Sequence, residues 1–191
     1  MDRTELNFEI QKLGRCRIHS PLAGIDFVDD EERVLFHSDP REVKEFFRKG
    51  QELPAFEMAG PRKEIHFDPT TLKCGIVTCG GLCPGINVVI RALVLSLFYQ
   101  YNVTTVWGFR YGFEGLSQKH GGPPLELNPD EVNEIHQHGG TLLGSSRGPQ
   151  DVGDMVDTLQ GMDISILFAI GGDGTLRGLH AIAEEIRRRG L

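Results

Sequence analysis

Two short apolar runs, each opening directly into a glycine pair, constrain this chain more than any other feature. Residues 74–79 (CGIVTC) run into Gly80-Gly81, and residues 164–170 (ISILFAI) run into Gly171-Gly172-Asp173-Gly174-Thr175. Short, continuous apolar runs of this kind read as strands of a parallel sheet. Parallel strands need crossover helices, and the spacing supplies them. Ile86, Ile90, Leu93, Val94 and Leu97 mark the buried stripe of a helix after the first glycine pair, with Pro84 expected in its first turn. Leu176, Leu179, Ile182, Ala183 and Ile186 mark a second stripe, in a helix over 176–189. A further strand is expected over 104–109, ending in the glycine-rich, aromatic loop RYGFEGL. Shorter helices are expected over 129–138, with Asn128 as cap, and over 151–161. Strands alternating with helices, with glycine loops at the strands' carboxyl ends, describe a doubly wound, Rossmann-like α/β sheet. In such a sheet ligands lie outside those ends.

Residues 1–72 have a different texture, mixing short apolar runs with prolines and the acidic cluster Asp29-Asp30-Glu31-Glu32, which reads as a solvated surface. A helix over 40–49 would carry Val43, Phe46 and Phe47 on one face and stop at Gly50. Residues 54–69 read as loop plus a short strand. The expected organisation is an N-terminal extension over 1–72 and an α/β domain over 73–191, with no internal repeat, linker or low-complexity tract.

Charge and composition exclude some classes. The net charge is −7, and the only dense basic run is Arg187-Arg188-Arg189, a favourable set near a helix C-terminus. That argues against a nucleic-acid partner but not against a nucleotide, whose phosphates are held by backbone N–H groups and one or two arginines. The longest apolar stretch, 88–99, is broken by Arg91 and too short to cross a bilayer, and the first ten residues lack a signal-peptide core. With four clustered cysteines, too few for a secreted disulfide scaffold, the expected location is the cytoplasm. Cys74 and Cys79 read as small core residues and Cys83 as a thiol near the loops. Their C-x4-C-x3-C spacing with Cys83 is unlike zinc pairs. His136 and His138, two apart on the expected helix, would point to different faces and would not ligate jointly.

The loops carry the chemistry. Gly80-Gly81, between a strand and a helix N-terminus, suits the close approach of a phosphate, though a tight turn with no ligand has the same sequence. In GGDGT, Asp173 at a strand mouth makes sense if Mg²⁺ lies between it and bound phosphates. A helix N-cap by Asp173 or Thr175 is the competing reading. Residues 139–148 (GGTLLGSSRG) end on Arg147, whose guanidinium suits a phosphoryl oxygen and the charge that builds during transfer. Alone, each loop has an ordinary structural explanation. Together they describe a phosphate site with a metal and a cation, the equipment of phosphoryl transfer.

Four segments, GIVTCGGLCPGIN (75–87), GFRYGFEGL (108–116), GGTLLGSSRG (139–148) and AIGGDGTLRG (169–178), occur in the order and at the spacing of the phosphofructokinase family, which the sequence resembles. FEMAGPRKEIHFDP (56–69) is similar to the subgroup of longer enzymes that carry an N-terminal extension. GGDGT alone is shared with NAD and lipid kinases; the other segments disfavour those classes. The resemblance implies the nucleotide-binding half of that family's fold, truncated, with Gly80, Arg147, Gly148, Gly172, Asp173, Gly174 and Thr175 holding ATP phosphates. It implies that Asp173 organises Mg²⁺, that Arg147 stabilises the transferring group and that Tyr111 flanks the nucleotide cleft. Gly174, where pyrophosphate-dependent relatives usually have Asp, implies ATP as donor. Fructose 6-phosphate is the implied acceptor, and the complete protein is expected to be a homo-oligomer. The family's base, in a Thr-Ile-Asp-Asn-Asp motif, and the sugar-phosphate half are absent from these 191 residues. The expectation is therefore an N-terminal fragment inactive by itself; a non-catalytic nucleotide-binding remnant or subunit is the alternative.

Overall fold

The computed structural model describes residues 8, 10 and 12–191. The chain forms two units, one ending at Asp68 and one spanning Pro69–Leu191. In the first, β1 (Ile18–His19), β2 (Arg33–Leu35), α1 (Pro40–Lys49), β3 (Ala55–Glu57) and β4 (Glu64–Ile65) follow one another. The strands pair antiparallel as β1–β4 and β2–β3. Local signals fix α1. The Asp39 carboxylate accepts the Arg41 N–H at 2.9 Å, Pro40 opens the first turn, and Gly50 closes the helix at φ 62°. The expected strand of 54–69 is in fact two short strands.

In the second unit come β5 (Lys73–Thr78), α2 (Ile86–Tyr99), β6 (Thr105–Phe109), a 3-10 turn at Gly112–Leu116 and β7 (Leu125–Glu126). A 3-10 turn at Ile135–Gln137, α3 (Val152–Gly161), β8 (Ile166–Ile170) and α4 (Asp173–Arg189) complete it. The sheet order is β7–β6–β5–β8, with β5 parallel to both β6 and β8 and β7 antiparallel to β6. From β5 the chain passes to β6 on one side and returns to β8 on the other. The strand order therefore reverses between β5 and β8, the place where doubly wound sheets bind ligands. One sheet face packs Val77 and Phe109 against Leu116, Met155, Val156, Leu159 and Ile182. Cys74, Ile76 and Val106, on the alternate face, are fully buried. Among the described residues no helix is long and apolar enough to cross a membrane.

Several local expectations need correction. No helix spans 129–138. Val132 N–H donates to Asn128 O at 3.2 Å, one α turn, after which Asn133 and Gln137 N–H reach back three residues to Asp130 and Glu134. Asn133 O accepts from Arg91 Nε at 3.2 Å, so a distant side chain meets this segment where the α pattern has lapsed. Pro84 lies outside α2, whose N-cap is Gly85 at φ 91°. α4 begins at Asp173 rather than Leu176, and Leu176 (62% exposed) and Ala183 lie outside its buried stripe. The inward side of that helix is Thr175 and Ile182, with Leu179 and Ile186 half-buried. Leu93 of α2 is likewise only half-buried.

Candidate functional site

The ends of β5 and β8 are held together by Cys79 N–H donating to Ile170 O at 2.9 Å. This bond brings Gly80-Gly81 beside Gly171–Thr175. Gly171 is required by the crowding: a Cβ there would fall 2.1 Å from Thr175 Oγ1 and 2.7 Å from Cys79 O. Gly80 is required by its backbone, at φ 84°. The third loop joins them through side chains. Ser145 Oγ donates to Gly80 O at 2.6 Å, and Ser146 Oγ donates to Tyr111 O at 2.5 Å. Tyr111, itself left-handed at φ 64°, donates its N–H to Leu143 O at 2.7 Å. Its ring lies against Gly144, where a Cβ would come within 2.9 Å of it.

Arg147 is exposed, and its Nη2 lies 4.0 Å from the position a Cβ would take on Gly81. Among the described residues it makes no hydrogen bond or ion pair, and neither does the Asp173 side chain. The N-cap of α4 is Gly172, with no side-chain cap. Asp173 therefore stands in the first helical turn with its carboxylate uncommitted, and capping does not explain it. Thr175 is buried, its hydroxyl against the Cys79 thiol. Around Gly80, Gly148, Gly172 and Gly174 a Cβ would meet nothing within 4 Å, so the backbone faces open space. The joined loops offer backbone and helix-terminal N–H groups, one free guanidinium and one free carboxylate, a set suited to a polyphosphate with its cation.

Among the described residues no group of three or more His, Cys, Asp or Glu could hold a metal ion. A cation at Asp173 would thus take most of its ligands from phosphates and water. Mg²⁺ binds in that way, so the residues present fit it. His136 and His138 contribute no such cluster, and both are exposed. Cys74 and Cys79 are buried and Cys83 is exposed. Burial pushes the Cys74 thiol up to about 11 and raises Cys79 as well, against smaller opposing hydrogen bonds from the Phe113 backbone and Thr175.

Reading the sequence missed the residues that gather the loops: Thr78, Asn87, Ser145 and Ser146. One signal was available for Asn87. Spaced as 87, 90, 94 and 97, it lies on the stripe of Ile90, Val94 and Leu97, and it is 4% exposed.

Sheet order, switch point and glycine loops define a doubly wound α/β protein. The chain belongs to the phosphofructokinase family: the family's model matches residues 73–189, more than half of the chain. It is 43% identical over 193 residues to an ATP-dependent 6-phosphofructokinase of Amycolatopsis methanolica, covering 97% of this chain and 42% of that protein. It is 48% identical over 171 residues to an ATP-dependent 6-phosphofructokinase of Trypanosoma cruzi, covering 86% and 34%. The fold resembles the crystal structure of the Pichia pastoris phosphofructokinase in the T-state, with a TM-score of 0.54 at 24% identity over 71% of this chain and 16% of that one. The chain thus spans well under half the length of these relatives.

Proposed function

We propose that this chain supplies the nucleotide-binding part of an ATP-dependent 6-phosphofructokinase, which moves the γ-phosphoryl group of ATP to the 1-hydroxyl of fructose 6-phosphate. The observation that carries the reading is the meeting of three glycine loops at the switch point, with Arg147 and Asp173 both uncommitted beside them. Gly80, Gly148, Gly172 and Gly174 border the phosphates, with the N-terminus of α4 directed at them, while Thr175, buried against Cys79, fixes the turn behind them. Arg147 neutralises charge on the transferring group, and Tyr111 flanks the nucleotide. Asp173 holds Mg²⁺, which when bound neutralises the phosphate oxygens and orients the transfer. The same reading places the complete protein in the cytoplasm as a homo-oligomer, without nucleic-acid or membrane partners.

The test is ADP release that depends on fructose 6-phosphate, measured on the full chain. Asp173→Ala is expected to lower kcat by about 10²-fold; turnover near normal with strict Mg²⁺ dependence would remove Asp173 from its role. Gly174→Asp is expected to raise the KM for ATP. A Cβ at Gly174 meets nothing within 4 Å, so this change loads the crevice rather than the fold. An unchanged KM would overturn ATP as the donor read from Gly174.

A further inference from the structure

Thr78 ends β5, is 1% exposed and donates its hydroxyl to Gly144 O at 2.6 Å. Thr78 Oγ1 also lies 2.9 Å from Thr141 Oγ1, which accepts the Leu143 N–H at 3.1 Å. A carbonyl can only accept, so the Thr78 proton is committed to Gly144 O, and the Thr141 proton must then go to Thr78 Oγ1. The result is a chain with one direction: Leu143 N–H to Thr141, Thr141 to Thr78, Thr78 to Gly144 O. Such a chain is cooperative, and breaking one link leaves buried groups unpaired.

Asn87, in the first turn of α2, grips the start of the same loop. Its Oδ1 accepts Leu142 N–H at 2.7 Å and its Nδ2 donates to His138 O at 3.1 Å. The two anchors flank the β5–α2 connection, the segment that carries Gly80-Gly81. Ser145 adds its bond to Gly80 O, whereas beyond Ser146 the Arg147 side chain is held by nothing among the described residues. The base of the arginine loop is fastened to the glycine loop, and the guanidinium is left free to engage a ligand.

We infer that Thr78, with Asn87, is a positioning residue that sets Arg147 relative to the Gly80-Gly81 loop for phosphoryl transfer. This rests on the function proposed above and adds residues that touch neither nucleotide nor metal. Misplacing a catalytic cation by about 1 Å can cost roughly 10²-fold in rate.

The experiment compares wild type, Thr78→Val and Thr78→Ser in the full chain. Valine keeps the β-branched shape and deletes the hydroxyl; serine keeps the hydroxyl. Thr78→Val is expected to lower kcat about 10- to 100-fold, with the KM for fructose 6-phosphate unchanged, and Thr78→Ser to restore kcat to within about 3-fold. In an Arg147→Ala background Thr78→Val should cost less than about 2-fold, because the pair acts as one unit. A full loss in that background, or Thr78→Val turnover equal to wild type, overturns the inference. Hydrogen exchange gives an arm independent of turnover: amides 142–146 should exchange at least about 10-fold faster in Thr78→Val than in wild type, and equal rates overturn the clamp. A wild type with no fructose 6-phosphate-dependent ADP release would sink the kinase reading, while the exchange arm would still decide the clamp.

Discussion

The two units of this chain solve the folding problem by different means. Up to Asp68, no described residue is buried, and the strands are two or three residues long. Order there comes from short-range devices: the two caps of α1, the His37–Glu42 contact at 2.7 Å, and Phe8, Phe36 and Phe56 packed with ring centroids 4.9 to 5.8 Å apart. From Pro69 onward, order comes from burial across long sequence separations. β5 lies between two parallel neighbours, and Ile76 and Val77 have no exposed surface. Two-stranded pieces without a buried face are marginal alone, whereas a covered parallel sheet is cooperative. The first unit should therefore open locally and the second only as a whole.

The largest expected effect tests that contrast directly. Ile76→Ala removes a fully buried side chain from the central strand and is expected to cost about 2 to 5 kcal/mol, seen as a lower midpoint of the second unit's urea transition. Phe56→Ala removes a half-exposed ring of the aromatic cluster and is expected to cost about 1 kcal/mol, with faster hydrogen exchange confined to residues before Asp68. Equal costs, or exchange spreading beyond Asp68 in Phe56→Ala, would break the comparison.

A smaller readout uses the cysteines. Cys16 is half-buried in the first unit and Cys83 is exposed in the second, while Cys74 and Cys79 are buried. An aromatic disulfide reagent at pH 8 should titrate Cys16 and Cys83 quickly, and Cys74 and Cys79 only at the rate of global unfolding. The depth of the second unit is wrong if more than two thiols react in the fast phase. Ile76→Ala should accelerate the slow phase and leave the fast one alone, which would tie the thiol measurement to the first prediction.

The same contrast explains what could be read from the sequence. The bounds of α1 were legible because Pro40 at its start and Gly50 at its end are signals within the segment itself. The strands β5 and β6 were legible because a buried strand must be apolar, and β8 because its run is apolar although its residues are only half-buried. The helix expected over 129–138 is replaced by tighter three-residue turns, and Asn133 O is met by Arg91, 42 residues away, a contact that the segment's own sequence does not signal. Thr78 and Asn87 went unnoticed for the same reason. A polar residue in an apolar stripe reads as a gap, and only the approach of Gly144, Leu142 and His138 shows what it is for. Arg147 and Asp173 were singled out because residue types reveal available chemistry. Their freedom from protein partners is a property of the folded arrangement.

The smallest effect concerns surface carboxylates, one in each unit. Asp39 lies below the usual carboxylate range, chiefly through its side-chain bond to Arg41 and next through the Arg41 N–H. Glu185 is driven to about 2, first by Arg188 and then by Arg189. Arg189 also reaches across to α3, pairing with Asp157 and donating Nη2 to Gly153 O at 3.1 Å. Glu185 thereby braces a helix–helix contact, whereas Asp39 serves only its own helix. A carboxylate whose folded pKa is depressed contributes stability that is complete above its unfolded value, here 4.5, and is lost as pH falls through about 2. Between pH 4.5 and 2, wild type should lose thermal stability in the second unit more steeply than Glu185→Gln, and 1 M salt should narrow the gap because the group is on the surface. Asp39→Ala should leave that transition in place and speed exchange only within α1. Parallel slopes for wild type and Glu185→Gln would mean that Glu185 adds nothing to the contact of α3 with α4. The second unit would then be even less dependent on charge than its core implies.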